Sequence, residues 1–165
     1  MTKRRSLAMT ARLPLRGDIE LVVRQNGEIV RRIAIRNTIT YVGHVAMLQL
    51  LAQALGGAAS IGGSPGKLAP GTNGTPPTVG DIALGAALGP SDQIDLTAPN
   101  LAVNAPSREL VITGTLSTSQ GNSSTLREVG LVLANGDLFA RQVHPAVAKT
   151  ALLTVTYTWR VAVTS

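Results

Sequence analysis

The sequence predicts a mainly β fold: an antiparallel β-sandwich with one helix and long Gly/Pro-rich loops. Three observations predict it. Alternation of apolar and polar residues recurs along the chain, from Ile19-Leu21-Val23 near the start to Leu153 through Val163 at the end. Two Asn-Gly pairs, 26–27 and 135–136, sit between such runs. Only one stretch, about 41–55, changes to helical spacing. The 165 residues are one domain's worth of chain, and 44% apolar content is enough for a single core.

The elements follow in order. Residues 18–24 alternate with Ile19, Leu21 and Val23 on one side. Residues 28–36 alternate with Ile29, Ile33 and Ile35 sharing a face with Arg31, while the opposite face of the pair carries Arg24, Arg32 and Arg36. Asn26-Gly27 accepts the positive φ values of a tight turn, so the two runs form a hairpin. Thr38 and Thr40 are candidate N-caps for a helix at 41–55. There Val45, Leu48, Leu51, Ala52 and Leu55 recur at helical spacing, and Gly56 stands at a C′ position. The length fits a helix packed on a sheet and is too short for a bilayer.

Residues 56–80 hold 8 Gly and 4 Pro and predict an extended loop, ordered by a neighbouring subunit if at all. A short apolar segment, 81–88, and a Pro/Asn-rich stretch, 89–106, come next. The last third is strand-like: 108–118, 126–133, 137–143 after the second Asn-Gly turn, and 151–163. In the last run Leu153, Val155, Tyr157, Trp159, Val161 and Val163 face one way. Thr154, Thr156, Thr158 and Arg160 face the other. β-Branched residues suit such a half-buried pleated surface. The predicted organisation is a basic N-terminal arm, 1–17, followed by a single β-rich domain, 18–165.

Charge is unevenly placed. Residues 1–36 carry 9 Lys/Arg and 3 acids, which accounts for the whole net charge of +6. Lys3, Arg4, Arg5, Arg12 and Arg16 mark the arm as a partner-binding segment. Only 4 residues are aromatic, and none lies in the first 40. A base-stacking platform therefore has no material beside the basic patch, and nucleic acid is disfavoured as a partner relative to an acidic protein surface.

The same inventory argues against chemistry. No Cys is present and only 2 His, 100 positions apart. Thiolate sites and His-rich metal sites are therefore absent from the sequence. No apolar run reaches the ~18 residues of a membrane span. Glu109 and Glu128, next to Arg108 and Arg127, read as surface ion pairs rather than a hydrolytic carboxylate pair with Asp137. His44 and His144 read as structural or surface groups, and no GxSxG elbow accompanies them. Gly66-Lys67 leads into Leu-Ala-Pro rather than a helix, so it is not a phosphate loop. The sequence predicts no catalytic residue, no metal and no cofactor.

A resemblance adds to this reading. Asn37-Thr38-Ile39-Thr40-Tyr41-Val42-Gly43, followed by an apolar helix, resembles the N-x-I-T-x-x-G segment of many structural proteins of tailed bacteriophages. Ile82-Ala83-Leu84-Gly85 resembles their I-A-L-G strand. Arg127-Glu128-Val129-Gly130-Leu131, then Gly136-Asp137-Leu138-Phe139-Ala140-Arg141, resembles their E-V-G-L-F and G-x-L-F-A-R pattern. Lys149 and the closing TVTYTWRVAV are similar to their final strand. The resemblance covers residues 18–163 in order. It departs at E-x-x-R, for which Ser107-Arg108-Glu109 is the nearest match.

The resemblance implies a non-enzymatic virion component, assembled in the host cytoplasm with other virion proteins and with its own copies. The leading expectation is a tail-associated adaptor or fibre-attachment protein. A capsid decoration (cement) protein is the alternative, and a host-glycan-binding module a further one. Within it Asn37, Gly43, Glu128, Gly130, Gly136, Phe139, Arg141 and Trp159 read as scaffold. Phe139 and Trp159 are expected core anchors, and Glu128 and Arg141 an expected cross-strand ion pair.

Overall fold

The computed structural model describes residues 15–54 and 66–163. It is mainly β, with two antiparallel sheets and one α-helix. The strands are β1 (Leu15–Gln25), β2 (Glu28–Arg36), β3 (Thr38–Ile39), β4 (Lys67–Gly71), β5 (Ile94–Asp95), β6 (Leu101–Asn104), β7 (Glu109–Leu116), β8 (Thr125–Val132), β9 (Leu138–Ala148) and β10 (Leu153–Val163); helix α1 is Tyr41–Ala54. One five-stranded sheet runs β2-β1-β10-β7-β6, and the other runs β3-β9-β8-β4-β5.

The β1–β2 hairpin turns at Asn26 (φ 49°) and Gly27 (φ 86°). Both central residues take the left-handed backbone that the Asn-Gly pair permits. Across β1, Ile19, Leu21 and Val23 point into the core, opposite Trp159, Tyr157 and Val155 of β10. A bulge between Val23 and Arg24 shifts the register with β2. Arg31, Ile33 and Ile35 keep the inner side, but Ile29 is carried off it and stands 44% exposed.

The core lies between the sheets. Leu21, Leu116, Val155, Tyr157 and Trp159 from the first meet Leu68, Leu126, Val129, Leu131 and Phe139 from the second. Burying such side chains contributes roughly 1.5–3 kcal/mol each. The outer face of the first sheet is solvated and rich in threonine, with Thr115 and Thr156 hydroxyls 2.9 Å apart across β7 and β10.

Four expectations need correction. The β1 strand starts at Leu15, so the predicted arm ends earlier than 17 and Arg16 is a strand residue paired with Asp18 at 2.9 Å. Within the predicted 56–80 loop, β4 is buried through Leu68, Ala69, Pro70 and Gly71. Its sequence lacks alternation because the strand is covered on both faces, and Pro70 and Gly71 resemble loop residues until β8 pairs with them. Glu128 is not on the surface: it is completely buried.

The fourth correction concerns the helix. Thr40 is the N-cap, its hydroxyl accepting from the Gly43 N–H at 3.0 Å, whereas Thr38 belongs to β3. However, Val45 and Leu48 face outward, at 52% and 64% exposure. Gly43, Ala46 and Met47 face inward instead. A side chain at 43 would collide with the Phe139 carbonyl, so the helix rests on β9 through its glycine, closer than its larger residues would permit.

Candidate functional site

Three of the residues singled out in the sequence, Glu128, Gly130 and Arg141, meet in one place, where β8, β9 and the segment between β4 and β5 come together. The Arg141 guanidinium on β9 sits at the centre. Its Nε donates to Glu128 Oε2 at 2.7 Å, one terminal nitrogen donates to Asp81 Oδ2 at 2.8 Å, and the other donates to the Thr75 carbonyl at 3.0 Å. The strands pair Gly130 with Arg141, so Glu128 is the diagonal neighbour two residues back on the same face.

Glu128 has further partners. Oε1 accepts from the N–H groups of Ala86 at 2.6 Å and Asn73 at 3.3 Å, and Oε2 accepts from Gly85 at 3.1 Å. A buried carboxylate is tolerated where a cation and several N–H groups replace water. Asp81 also accepts from Thr78, through the hydroxyl at 2.7 Å and the backbone N–H at 3.1 Å. Partial burial would raise the Asp81 carboxyl, but the hydrogen bonds from Thr78 and Arg141 outweigh it and hold its pKa below the usual value. Burial works against the Arg141 cation, and its bonds to Asp81 and Glu128 overcome that and raise its pKa.

These contacts fold the chain between β4 and β5 back over β8. Thr72 donates to the Ala86 carbonyl, Leu88 to the Pro70 carbonyl, and Tyr41 to the Val79 carbonyl, at 2.9, 2.8 and 2.8 Å. Leu84 occupies the space above Gly130, where an added Cβ would stand 2.5 Å from its Cδ1. Gly71 is similarly excluded from carrying a side chain by the Ala86 carbonyl and Glu128. Two separate motif segments, 82–85 and 139–141, therefore each touch a third, 127–131.

The remaining motif residues are also structural. The Thr40 hydroxyl donates to the Leu138 carbonyl at 2.5 Å. Asn37 donates its N–H to Gly17 O at 2.9 Å, and its carboxamide lies where a side chain on residue 17 would be. Gly136 turns the β8–β9 hairpin with φ 92°. Phe139 and Trp159 are buried in the core. Lys149 is 1% exposed, with its ammonium on Asn122 Oδ1 at 3.1 Å and the Thr150 carbonyl at 2.9 Å. Burial lowers its pKa. Of the arm residues only Arg16 is described; Lys3, Arg4, Arg5 and Arg12 lie outside the described residues.

The two histidines differ. His44 is exposed on α1 and holds the Thr40 carbonyl at 2.8 Å through Nδ1. His144 is buried between Pro145, whose carbonyl is 3.0 Å from Nδ1, and the Tyr157 hydroxyl, 3.4 Å from Nε2. Burial lowers its pKa, and nearby Arg31 lowers it further. Glu109 lies at the start of β7, taking a hydrogen bond from the Ser107 hydroxyl at 3.1 Å. Among the described residues, no three His, Cys, Asp or Glu side chains gather as a metal site, and no helix is long and apolar enough to cross a membrane.

The chemical character of the Glu128–Arg141–Asp81 centre is that of a lock. Both Glu128 oxygens and all three Arg141 nitrogens have partners within the chain, so these groups hold the segments around them together. Sequence reasoning found Glu128 and Arg141 but missed Asp81, Gly85 and Ala86. The signal for them was the I-A-L-G segment, read as a strand when it is the strap that covers the carboxylate.

The exposed surface offers other candidates. The described arginines of β1, β2 and β10 concentrate on one sheet: Arg16, Arg24, Arg31, Arg32, Arg36 and Arg160. A groove of about 510 Å3 is lined by Leu15, Met47, Leu101, Val103, Leu110 and Leu131 among others. Tyr41 is the one aromatic side chain on the surface, at 66% exposure.

Compared with protein-family models, curated proteins and solved structures, the chain matches none.

Proposed function

We propose that this protein is a non-enzymatic structural component of a tailed-bacteriophage virion, a tail-associated adaptor or fibre-attachment protein that assembles with its own copies and with other virion proteins. One observation carries the reading. The residues that resemble the virion pattern, Ile82 to Gly85, Glu128 to Leu131 and Phe139 to Arg141, meet around a buried ion pair. Residues that serve only to fix a scaffold are what a structural subunit requires. Each Arg141 nitrogen and each Glu128 oxygen has a partner within the chain.

Surface chemistry supports the same reading. Phe139, Tyr157 and Trp159 are buried, which leaves Tyr41 as the only aromatic a sugar ring could stack on. A lone tyrosine is a poor glycan platform. The basic sheet and the basic residues 3, 4, 5 and 12 provide electrostatic attraction for an acidic partner surface.

The test is to purify the particles of the phage whose genome encodes the chain, identify their proteins by mass spectrometry and locate this one by cryo-EM. The expected result is a symmetric set of copies at the tail. Density on the capsid shell would replace the adaptor reading with a cement protein. Absence from the particles, or turnover of a substrate by the purified protein, would overturn the proposal.

A further inference from the structure

We infer that the outward face of α1 is a self-association surface, which docks against the same face of a second copy. The helix sequence YVGHVAMLQLLAQA contains no charged residue. Its inner side is filled by Gly43, Ala46 and Met47. Its outer side repeats apolar residues at i, i+4 and i+7: Tyr41, Val45 and Leu48, at 66%, 52% and 64% exposure. A helix with apolar residues on two opposite sides has more than one face to bury. Here one side has an interior and the other faces solvent. Val79, bound to the Tyr41 N–H through its carbonyl, and Ile82 beyond it are exposed as well, at 44% and 77%.

Charge selects the occupant. Among the described cations, those of β1, β2 and β10 stand on the sheet that does not hold β9, while α1 rests on β9. An acidic macromolecule would be drawn to the arginine-bearing sheet and would gain nothing from an uncharged helix. A second copy also carries +6, and contact through most of the basic surface would set like charges together. Helix-to-helix contact avoids this. It joins the copies at an uncharged element and leaves both basic sheets free for other partners.

A two-fold arrangement then lets one face complement itself. The exposed apolar side chains present on the order of 500 Å2 per copy, against about 800 Å2 per partner in a standard interface. His44 and Gln49, both exposed, stand on the rim of this face.

The inference deepens the assembly reading above and rests on its homo-oligomer element, but its test uses the isolated full chain. Sedimentation velocity across a concentration series should show reversible self-association of the wild type. Leu48→Glu, an exposed position, should weaken it at least about tenfold while leaving circular dichroism unchanged. The absence of native cysteine permits a second measurement that does not depend on that variant. Oxidised Val45→Cys or Leu48→Cys protein should form a disulfide-linked dimer, because residues near a two-fold axis meet their own copies. Ala34→Cys on exposed β2 should not.

A wild type that stays monomeric at all concentrations would overturn the inference. So would an oligomer indifferent to Leu48→Glu that gives no cross-link at 45 or 48. A monomer with Tyr41 and Leu48 shielded from hydroxyl-radical labelling would do the same, by showing that the chain covers its own helix. If the helix contact fails while the protein is still found in particles, only the interface is lost. If the dimer forms and the particles lack the protein, only the virion reading is lost.

Discussion

Replacing Arg141 by methionine tests the central lock most directly. Methionine retains part of the length and removes the charge. Three hydrogen bonds disappear, to Glu128, Asp81 and the Thr75 carbonyl. Breaking a buried ion pair by removing one partner costs about 3–5 kcal/mol, since the other charge stays buried. Two features place this case at the lower end. Glu128 keeps three N–H donors, and the Asp81 side chain is 20% exposed and keeps Thr78. The expected loss is therefore about 3 kcal/mol, or a fall in Tm of about 6–12 °C for a chain of this size. Chemical denaturation of wild type, Arg141→Met, Glu128→Gln and the double variant would complete a cycle. The two losses should fall short of additivity by about 1–3 kcal/mol, because each side chain is the other's main partner. Hydrogen exchange at Gly85 and Ala86 should accelerate in Glu128→Gln, locating the damage in the strap. A single-variant loss below about 1 kcal/mol, or simple additivity, would refute the lock as the determinant of this region.

Other consequences are as direct. Burial lowers the His144 pKa from 6.5, so the folded state resists a proton that the unfolded chain accepts; stability should decline as pH falls below 6.5 towards the folded value, and thermal melts of His144→Asn should lack that decline. For Asp81 the depressed carboxylate gives stability that is present above pH 3.8 and lost as pH falls through its lower folded pKa, so Asp81→Asn should flatten the acid limb of the stability curve. Gly71→Ala should cost about 1–3 kcal/mol in denaturant melts, because the new methyl would press on the Ala86 carbonyl and Glu128, neither of which has room to retreat. Since β1 begins at Leu15, a chain lacking residues 1–13 should melt within about 2 °C of the full chain while entering particles less efficiently; a large loss of stability would instead assign that segment to the fold.

Local rules decided much of this protein. Asn26-Gly27 could form only a tight turn between two alternating runs, and the inward order Ile19, Leu21, Val23 against Val155, Tyr157, Trp159 follows from a period of two. Thr40 as a cap and a helix opening at Tyr41 follow from equally short-range chemistry, while the predicted end at Leu55 and Gly56 lies outside the described residues. What the sequence could not express was coverage. Leu68-Ala69-Pro70-Gly71 carries no alternation because both faces are buried, one by the core and one by a strap from later in the chain. Glu128 next to Arg127 looks like a surface pair until Gly85 and Ala86 close over it. The helix orientation was likewise a tertiary outcome. Periodicity identified an apolar stripe through Val45 and Leu48, but Gly43 allows the backbone to approach the Phe139 carbonyl, and that close contact turns the stripe to solvent. Patterns of two and 3.6 residues are properties of neighbours in the chain; which surface is covered depends on segments tens of residues away, and only the folded structure brings those together.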